Sequence, residues 1–420
     1  MRSAFCIGLL VPSYATTLAT IYTFAGGSDG YSPQAAPVLS ADGILYGTTT
    51  QGGNVQCESP FGCGTVYALT PPSTPNGSWT KTILWVFGGV GDGIIPTANL
   101  AIGTGGVLYG VTAGGGNTNA CPGGCGTVFS LSPPTSAGGP WTEAVIYAFS
   151  GGADGWGPTC GVLIAPNGIL YGATGSGGAS NLGTVYSLTP PPSAGSAWAK
   201  TVLHDFAGGL DDGSGPISIV RGKQGVLYGA TVGGGDLVNG GTIFSLSPTM
   251  DAPAGWAEKI LVRFADYWAQ SPADGPLTNL VIGNNGAVYG TTGGIPSVWS
   301  LLPPTVVGGA WTETILSSSY LLGAPRGNIA LSPKTGAIYG TSPSGGGSSP
   351  ECGDLGCGTV WELTPPAIEG GGWVLSILHS FQGTDGGVPW AGLNGATDSL
   401  YGTTEIGGEF DAGTIFQLVP

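Results

Sequence analysis

A step ending in Tyr-Gly recurs seven times, at Tyr46, Tyr109, Tyr171, Tyr228, Tyr289, Tyr339 and Tyr401, at intervals of 50 to 63 residues. Each is followed by a Gly-rich loop and a second short apolar run. Self-similarity at this period belongs to stacked or ring-like repeat architectures, in which one supersecondary unit cannot bury its apolar face without its neighbours. The repeats run almost to the last residue, so 420 residues are expected to make one domain rather than several.

The first complete unit shows what each repeat contains. Pro33 to Leu39 is a short apolar run, Ala41-Asp42-Gly43 a turn, and Ile44 to Thr49 a second run. A loop bearing Cys57 and Cys63 follows, then Gly64 to Leu69, a Pro-rich connection, and Trp79 to Phe87. The runs are four to nine residues long, β-branched and aromatic, and punctuated by Gly and Pro, with no helical period. Gly 82 and Pro 33 exceed a quarter of the chain, but they stand at fixed offsets and read as turn residues.

Four antiparallel strands per unit describe a propeller blade, and the predicted fold is an all-β, seven-bladed propeller of four-stranded blades. The Trp-led fourth strand follows the middle strands only six times, at Trp79, Trp141, Trp198, Trp256, Trp311 and Trp373. The missing copy lies at the front, where Thr20 to Gly27 matches Val145 to Gly152. An N-terminal strand completing the last blade closes the ring and removes its open edges. Lys81, Glu143, Lys200, Glu258 and Glu313, each two residues after its Trp, are then expected on exposed outer strands, where charge discourages edge-to-edge pairing.

Met1-Arg2, the apolar stretch Ala4 to Val11, and small residues offering cleavage after Ala15 or Ala19 read as a signal peptide. Residues 1–19 are assigned to it and 20–420 to the propeller, giving a secreted or cell-surface protein with no transmembrane segment. Nine Lys+Arg against 24 Asp+Glu, a net charge of -15, exclude a phosphate backbone as partner. Three local cysteine pairs, Cys57 with Cys63, Cys121 with Cys125 and Cys352 with Cys357, fall in one repeat slot with unequal gaps. Unequal gaps favour disulfides over metal knuckles, and no metal or cofactor is expected. Cys160 stands alone.

Leu45-Tyr46-Gly47-Thr48-Thr49, a Gly-Gly loop and Gly64-Thr65-Val66-Tyr67-Ala68-Leu69-Thr70-Pro71 resemble the Gloeo_Verruco (GloVer) tandem repeat of secreted bacterial proteins with varied C-terminal anchors. The resemblance covers nearly the whole chain after its leader. It implies export and a repeat fold, and brings no catalytic residues with it. Because the last residues before Pro420 are themselves repeat strand, no such anchor is expected here.

An Asp-Gly pair lies in the connections between blades at Asp29, Asp92, Asp154, Asp212, Asp274 and Asp385. Six carboxylates leading into the innermost strands would ring one mouth of the channel, against the simpler reading that Asp-Gly is a favoured turn. Tyr31, Trp156, Tyr267, Trp268 and Trp390 lie in the same connections, as platforms for a sugar or as packing between blades. Units five and six are irregular: residues 292–297 shorten a loop, Ser297-Val298-Trp299 replaces Gly-Thr-Val, and Ser317 to Arg326 lacks Asp-Gly, leaving Arg263 and Arg326 as local cations. His204 and His379 fill the slot of Tyr22, Trp85 and Tyr147 and read as packing residues.

No helix-opening nucleotide loop, HExxH, Walker or EF-hand spacing is present. The expected function is a monomeric, non-catalytic binding or surface scaffold whose rim takes an extracellular glycan or protein. The alternative is an extracellular carbohydrate-active hydrolase or lyase, which needs two carboxylates, drawn from Asp211, Asp212 and Asp274, about 5 to 9.5 Å apart.

Overall fold

A computed structural model describes residues 16–420, except 54–56, 58–60, 75–76, 90, 118, 137, 194, 236–239, 251–254, 265–275, 277, 294, 307, 348–349, 369 and 397–398. Residues 1–15, Tyr267, Trp268 and Asp274 therefore lie outside the described residues. The chain forms seven antiparallel sheets arranged as the blades of a propeller. In blade 1 the strands are Val38–Leu39, Leu45–Thr49, Thr65–Thr70 and Thr80–Val86, innermost to outermost, close to the runs read from sequence. No described helix is long and apolar enough to cross a membrane.

Blade 7 takes Leu393–Ala396, Ser399–Thr404 and Thr414–Val419 from the end of the chain and Thr17–Thr23 from its beginning. Thr17 pairs with Val419 and Thr23 with Thr414, antiparallel, with one bulge between Thr20 and Tyr22. The ring is thus closed as the repeat count required.

The Tyr-Gly step has two separate causes. Gly47 pairs across the sheet with Tyr67, whose ring reaches over it; a Cβ on Gly47 would come within 2.3 Å of the Tyr67 hydroxyl. All seven blades repeat this, with Phe129, Tyr186, Phe244, Trp299, Trp361 and Phe416 in the place of Tyr67. Glycine is therefore the residue that leaves room for a large aromatic in the middle of each blade, exchanging local strand propensity for core volume. The preceding Tyr faces the other way, toward the next blade. Tyr46 meets Trp141 edge to face at 5.9 Å, Tyr109 meets Trp198, Tyr171 meets Trp256, Tyr228 meets Trp311, and Tyr401 meets Trp79 across the closure.

The core is consequently a circle of clusters between blades rather than one centre. The cluster at the closure holds Phe24, Leu45, Tyr67, Leu69, Tyr401 and Ile415, drawn from blades 7 and 1. Gly64, at φ +98°, sits against the ring of Pro96 in the next blade, and Gly413 sits likewise against Pro33. Cross-strand hydroxyl pairs such as Thr49 with Thr65 at 2.8 Å satisfy each other's buried oxygens at the end of the second and the start of the third strand.

Innermost strands bond sideways around the axis at blades 5 to 7. Thr278–Asn279 pairs parallel with Gly327 and Asn328, the Asn279 amide donates to Asn328 Oδ1, and the Asn328 N–H donates to the Ala391 carbonyl. Three disulfides, Cys57–Cys63, Cys121–Cys125 and Cys352–Cys357, are formed as expected. Cys160 is a free, buried thiol, and burial pushes its pKa up to about 11, so it has little thiolate character.

Candidate functional site

The Asp-Gly carboxylates turn back onto the outer strands. Asp29 accepts from the Ala25 N–H at 2.8 Å and from the Tyr22 hydroxyl at 2.9 Å. Asp154 does the same with Ser150 at 2.7 Å and Tyr147 at 2.6 Å. Asp92 takes the Gly88 N–H and the Trp85 indole, Asp212 takes Ala207 and His204, and Asp385 takes Gln382 and His379. Each carboxylate thus caps its own loop and ties it to the aromatic or His side chain ending the outer strand, as an Asx-type turn does. The hydrogen bonds of these five carboxylates are those the turn reading expects, with partners in their own loops and at the ends of the outer strands.

The outer-strand charges also differ from expectation. Lys81 and Lys200 are buried, 3% and 5% exposed, because each reaches across a blade junction. Lys81 Nζ lies 2.9 Å from Asp29 Oδ1 and 4.5 Å from the Phe24 ring centroid; Lys200 Nζ lies 2.8 Å from Asp154 Oδ1 and 5.3 Å from Phe149. Each ammonium also donates to the backbone carbonyl of the same Asp. Burial alone would raise both carboxyls, but the backbone N–H, the ammonium and the Tyr hydroxyl together hold Asp29 and Asp154 below the usual range. Glu143 and Glu258 occupy the equivalent slot in blades 2 and 4. Burial, helped for Glu143 by the nearby Asp92, pushes both up to about 7. Lys81, Lys200, Glu143 and Glu258 therefore belong to the junctions rather than to solvent, whereas Glu313 is exposed as expected.

A different set of side chains opens onto the channel mouth. Gln34, Thr97, Arg326, Gly327, Trp390 and Glu405 line a cavity of about 400 Å³. Gln34, Thr97, Arg326 and Trp390 each follow the Pro that precedes an innermost strand: Pro33, Pro96, Pro325 and Pro389. The Arg326 guanidinium sits 4.7 Å from the Trp390 ring centroid. Glu405 Oε1 accepts from Gln34 Nε2 at 2.7 Å and from the Ser32 hydroxyl at 3.2 Å. On the far side of Glu405 a second cavity of about 610 Å³ is lined by Gly27, Tyr31, Ser32, Gln51, Phe61, Glu405 and Ile406. Phe61, in the first disulfide loop, is 68% exposed. Burial first, then the charges of Asp411 and Glu405, raise the Tyr31 hydroxyl above its ordinary pKa, so it is a neutral donor at this rim.

Of the aromatics singled out from sequence, Tyr31 and Trp390 are brought to this mouth. Trp156 is not; it stands 41% exposed on blade 3 with its indole N–H directed to Asn181. Asp211 is fully exposed and faces Arg263, while Asp212 is buried and faces His204, so the two share no pocket. Sequence reading missed Glu405, Gln34 and Phe61. A signal was available for Glu405, because it alone is charged where the other six units carry Thr50, Ala113, Gly175, Val232, Gly293 and Pro343.

A repeat model described as the Gloeobacter/Verrucomicrobia repeat matches residues 58–298. No curated protein matches the chain. Among solved structures, a protein from Lactobacillus plantarum is 15% identical over 83% of this chain and 85% of its own, with a TM-score of 0.52. A protein described as a 6-phosphogluconolactonase from Bacteroides uniformis is 16% identical over 84% of this chain and 95% of its own, with a TM-score of 0.49. At such identities the likeness is one of fold.

Proposed function

From the premise that the chain belongs to the Gloeobacter/Verrucomicrobia repeat family, we propose that it is an exported binding scaffold that takes a carbohydrate at the channel mouth between blades 6, 7 and 1. The observation that carries this reading is Glu405 held by Gln34 and Ser32, with Trp390 and Arg326 on one side and Tyr31 and Phe61 on the other. Sugar rings present apolar C–H faces and a fringe of hydroxyls. Aromatic walls suit the first, and a fixed carboxylate and amide suit the second. Arg326 adds a donor fork, which favours sugars bearing a carboxylate.

Export through an N-terminal leader cleaved after Ala15, the earlier of the two expected positions and the one that leaves the Thr17–Thr23 strand whole, agrees with three disulfides, which persist in oxidising compartments. The test is a glycan array followed by calorimetry on the hits. Wild-type protein is expected to retain at least one acidic or neutral glycan, and Trp390→Ala and Glu405→Gln are expected to weaken it tenfold or more without changing the melting temperature. Absence of any wild-type binding, or equal binding by both variants, refutes the mouth as a sugar site.

A further inference from the structure

We propose that the junction of blades 3 and 4 is a site for a divalent transition-metal ion of the zinc class, held by His204 Nε2, Asp212 and Glu258. One ligand atom from each residue lies within 4.8 Å of the other two. The argument comes from comparing this junction with its equivalents in the same ring.

At the junctions of blades 7 with 1 and 2 with 3, the trio is Tyr, Asp and Lys: Tyr22, Asp29, Lys81 and Tyr147, Asp154, Lys200. In both, a cation, the lysine ammonium, sits against the carboxylate and over the aromatic rings. At the junction of blades 3 and 4 the rings remain, as His204 against Phe206 and Phe206 against Phe244. The ammonium, however, is replaced by the Glu258 carboxyl, and the phenol by an imidazole. A place that holds positive charge elsewhere in the ring is here lined by three ligand-bearing side chains and has no lysine to fill it.

Glu258 Oε1 is buried and has no hydrogen-bond partner among the described residues, an arrangement that costs free energy unless something binds there. The remaining described junctions fall short of three ligands. Trp85, Asp92 and Glu143 include no imidazole, and His379 and Asp385 are joined by Leu18 in the third place.

Occupancy displaces protons in a definite way. Without metal, the His204 and Asp212 side chains share a hydrogen bond at 3.1 Å. Binding the ion takes the neutral imidazole and both carboxylates as ligands and releases up to two protons to solvent, with water completing the shell. Asp212 is already oriented by the Ala207 and Gly213 N–H groups, both at 2.7 Å, which act as its outer shell.

The experiment uses the tag-free chain, Zn²⁺ and equilibrium dialysis at pH 7.5, with calorimetry in two buffers of different ionisation enthalpy. Wild type is expected to bind one equivalent and to release protons, with affinity rising at least tenfold from pH 5.5 to 7.5. The double variant His204→Tyr with Glu258→Lys rebuilds the trio that folds twice elsewhere in the ring, and is expected to fold and lose that equivalent. His379→Tyr is expected to bind as wild type does. Wild type with no Zn²⁺ uptake, a site holding protons only, or a folded double variant that binds as well as wild type overturns the proposal.

Discussion

Lys200→Met tests whether the blade junctions rest on buried ion pairs. The substitution keeps most of the side-chain stem and removes the ammonium, which is 5% exposed, 2.8 Å from Asp154 Oδ1 and within 5.7 Å of three ring centroids. Breaking a buried pair costs about 3 to 5 kcal/mol when the surviving charge is left without partners. Asp154 keeps the Tyr147 hydroxyl and the Ser150 N–H and hydroxyl, which moderates the loss. About 2 to 4 kcal/mol is therefore expected, of which cation–π contact contributes roughly 1. Equilibrium urea unfolding of Lys200→Met, Asp154→Asn and the double variant measures it, with the exposed Lys259→Met as control. A coupling energy near 2 kcal/mol is expected from the cycle. If Lys200→Met falls within about 0.5 kcal/mol of Lys259→Met, the junction does not depend on the pair and the reasoning fails.

Other tests address the remaining features. Glu143 and Glu258 titrate near 7 when folded against an ordinary 4.5, so their contribution is complete below about pH 4.5 and is lost as pH rises through 7. Raised His204 acts in the same sense, so in EDTA the melting temperature should fall from pH 5 to 8, and the Glu143→Gln, Glu258→Gln variant should flatten that slope. Gly172→Ala places a methyl group 2.3 Å from the buried Tyr186 hydroxyl and should cost about 2 to 3 kcal/mol, partly recovered by adding Tyr186→Leu. Reducing Cys121–Cys125 opens a loop of few residues and should cost about 2 kcal/mol, read as earlier proteolysis at that loop rather than collapse of the ring.

The fold was legible because its units repeat. Seven copies of one pattern average out the ambiguity of any single strand, and the displaced Thr20 to Gly27 stood out as the piece needed for closure. The direction of side chains was less legible. Lys81 and Lys200 are expected in solvent because an outer strand has one free edge, but a strand also has two faces, and the face that carries these lysines meets the preceding blade. The Asp-Gly turns drew attention because they recur, whereas a binding mouth in a ring of repeats is built from what does not recur. Glu405, Arg326, Trp390 and Gln34 are four different answers at repeated positions, and only coordinates place them together.

The pairing of Thr17 with Val419 links segments about 400 residues apart. At synthesis rates of roughly 5 to 20 residues per second, the first strand is made about 20 to 80 seconds before its partner exists. Through that interval the Ile21 and Phe24 side chains can meet only the blade 1 half of their cluster, Leu45, Tyr67 and Leu69, because Tyr401, Ala412 and Ile415 are the last of it to be made. A chain that stops before Thr414 leaves both this strand and the Leu400 strand without their shared neighbour. Synthesis of Thr414–Val419 is therefore itself the event that permits closure, and products ended before it keep an adhesive hem that the closed ring conceals.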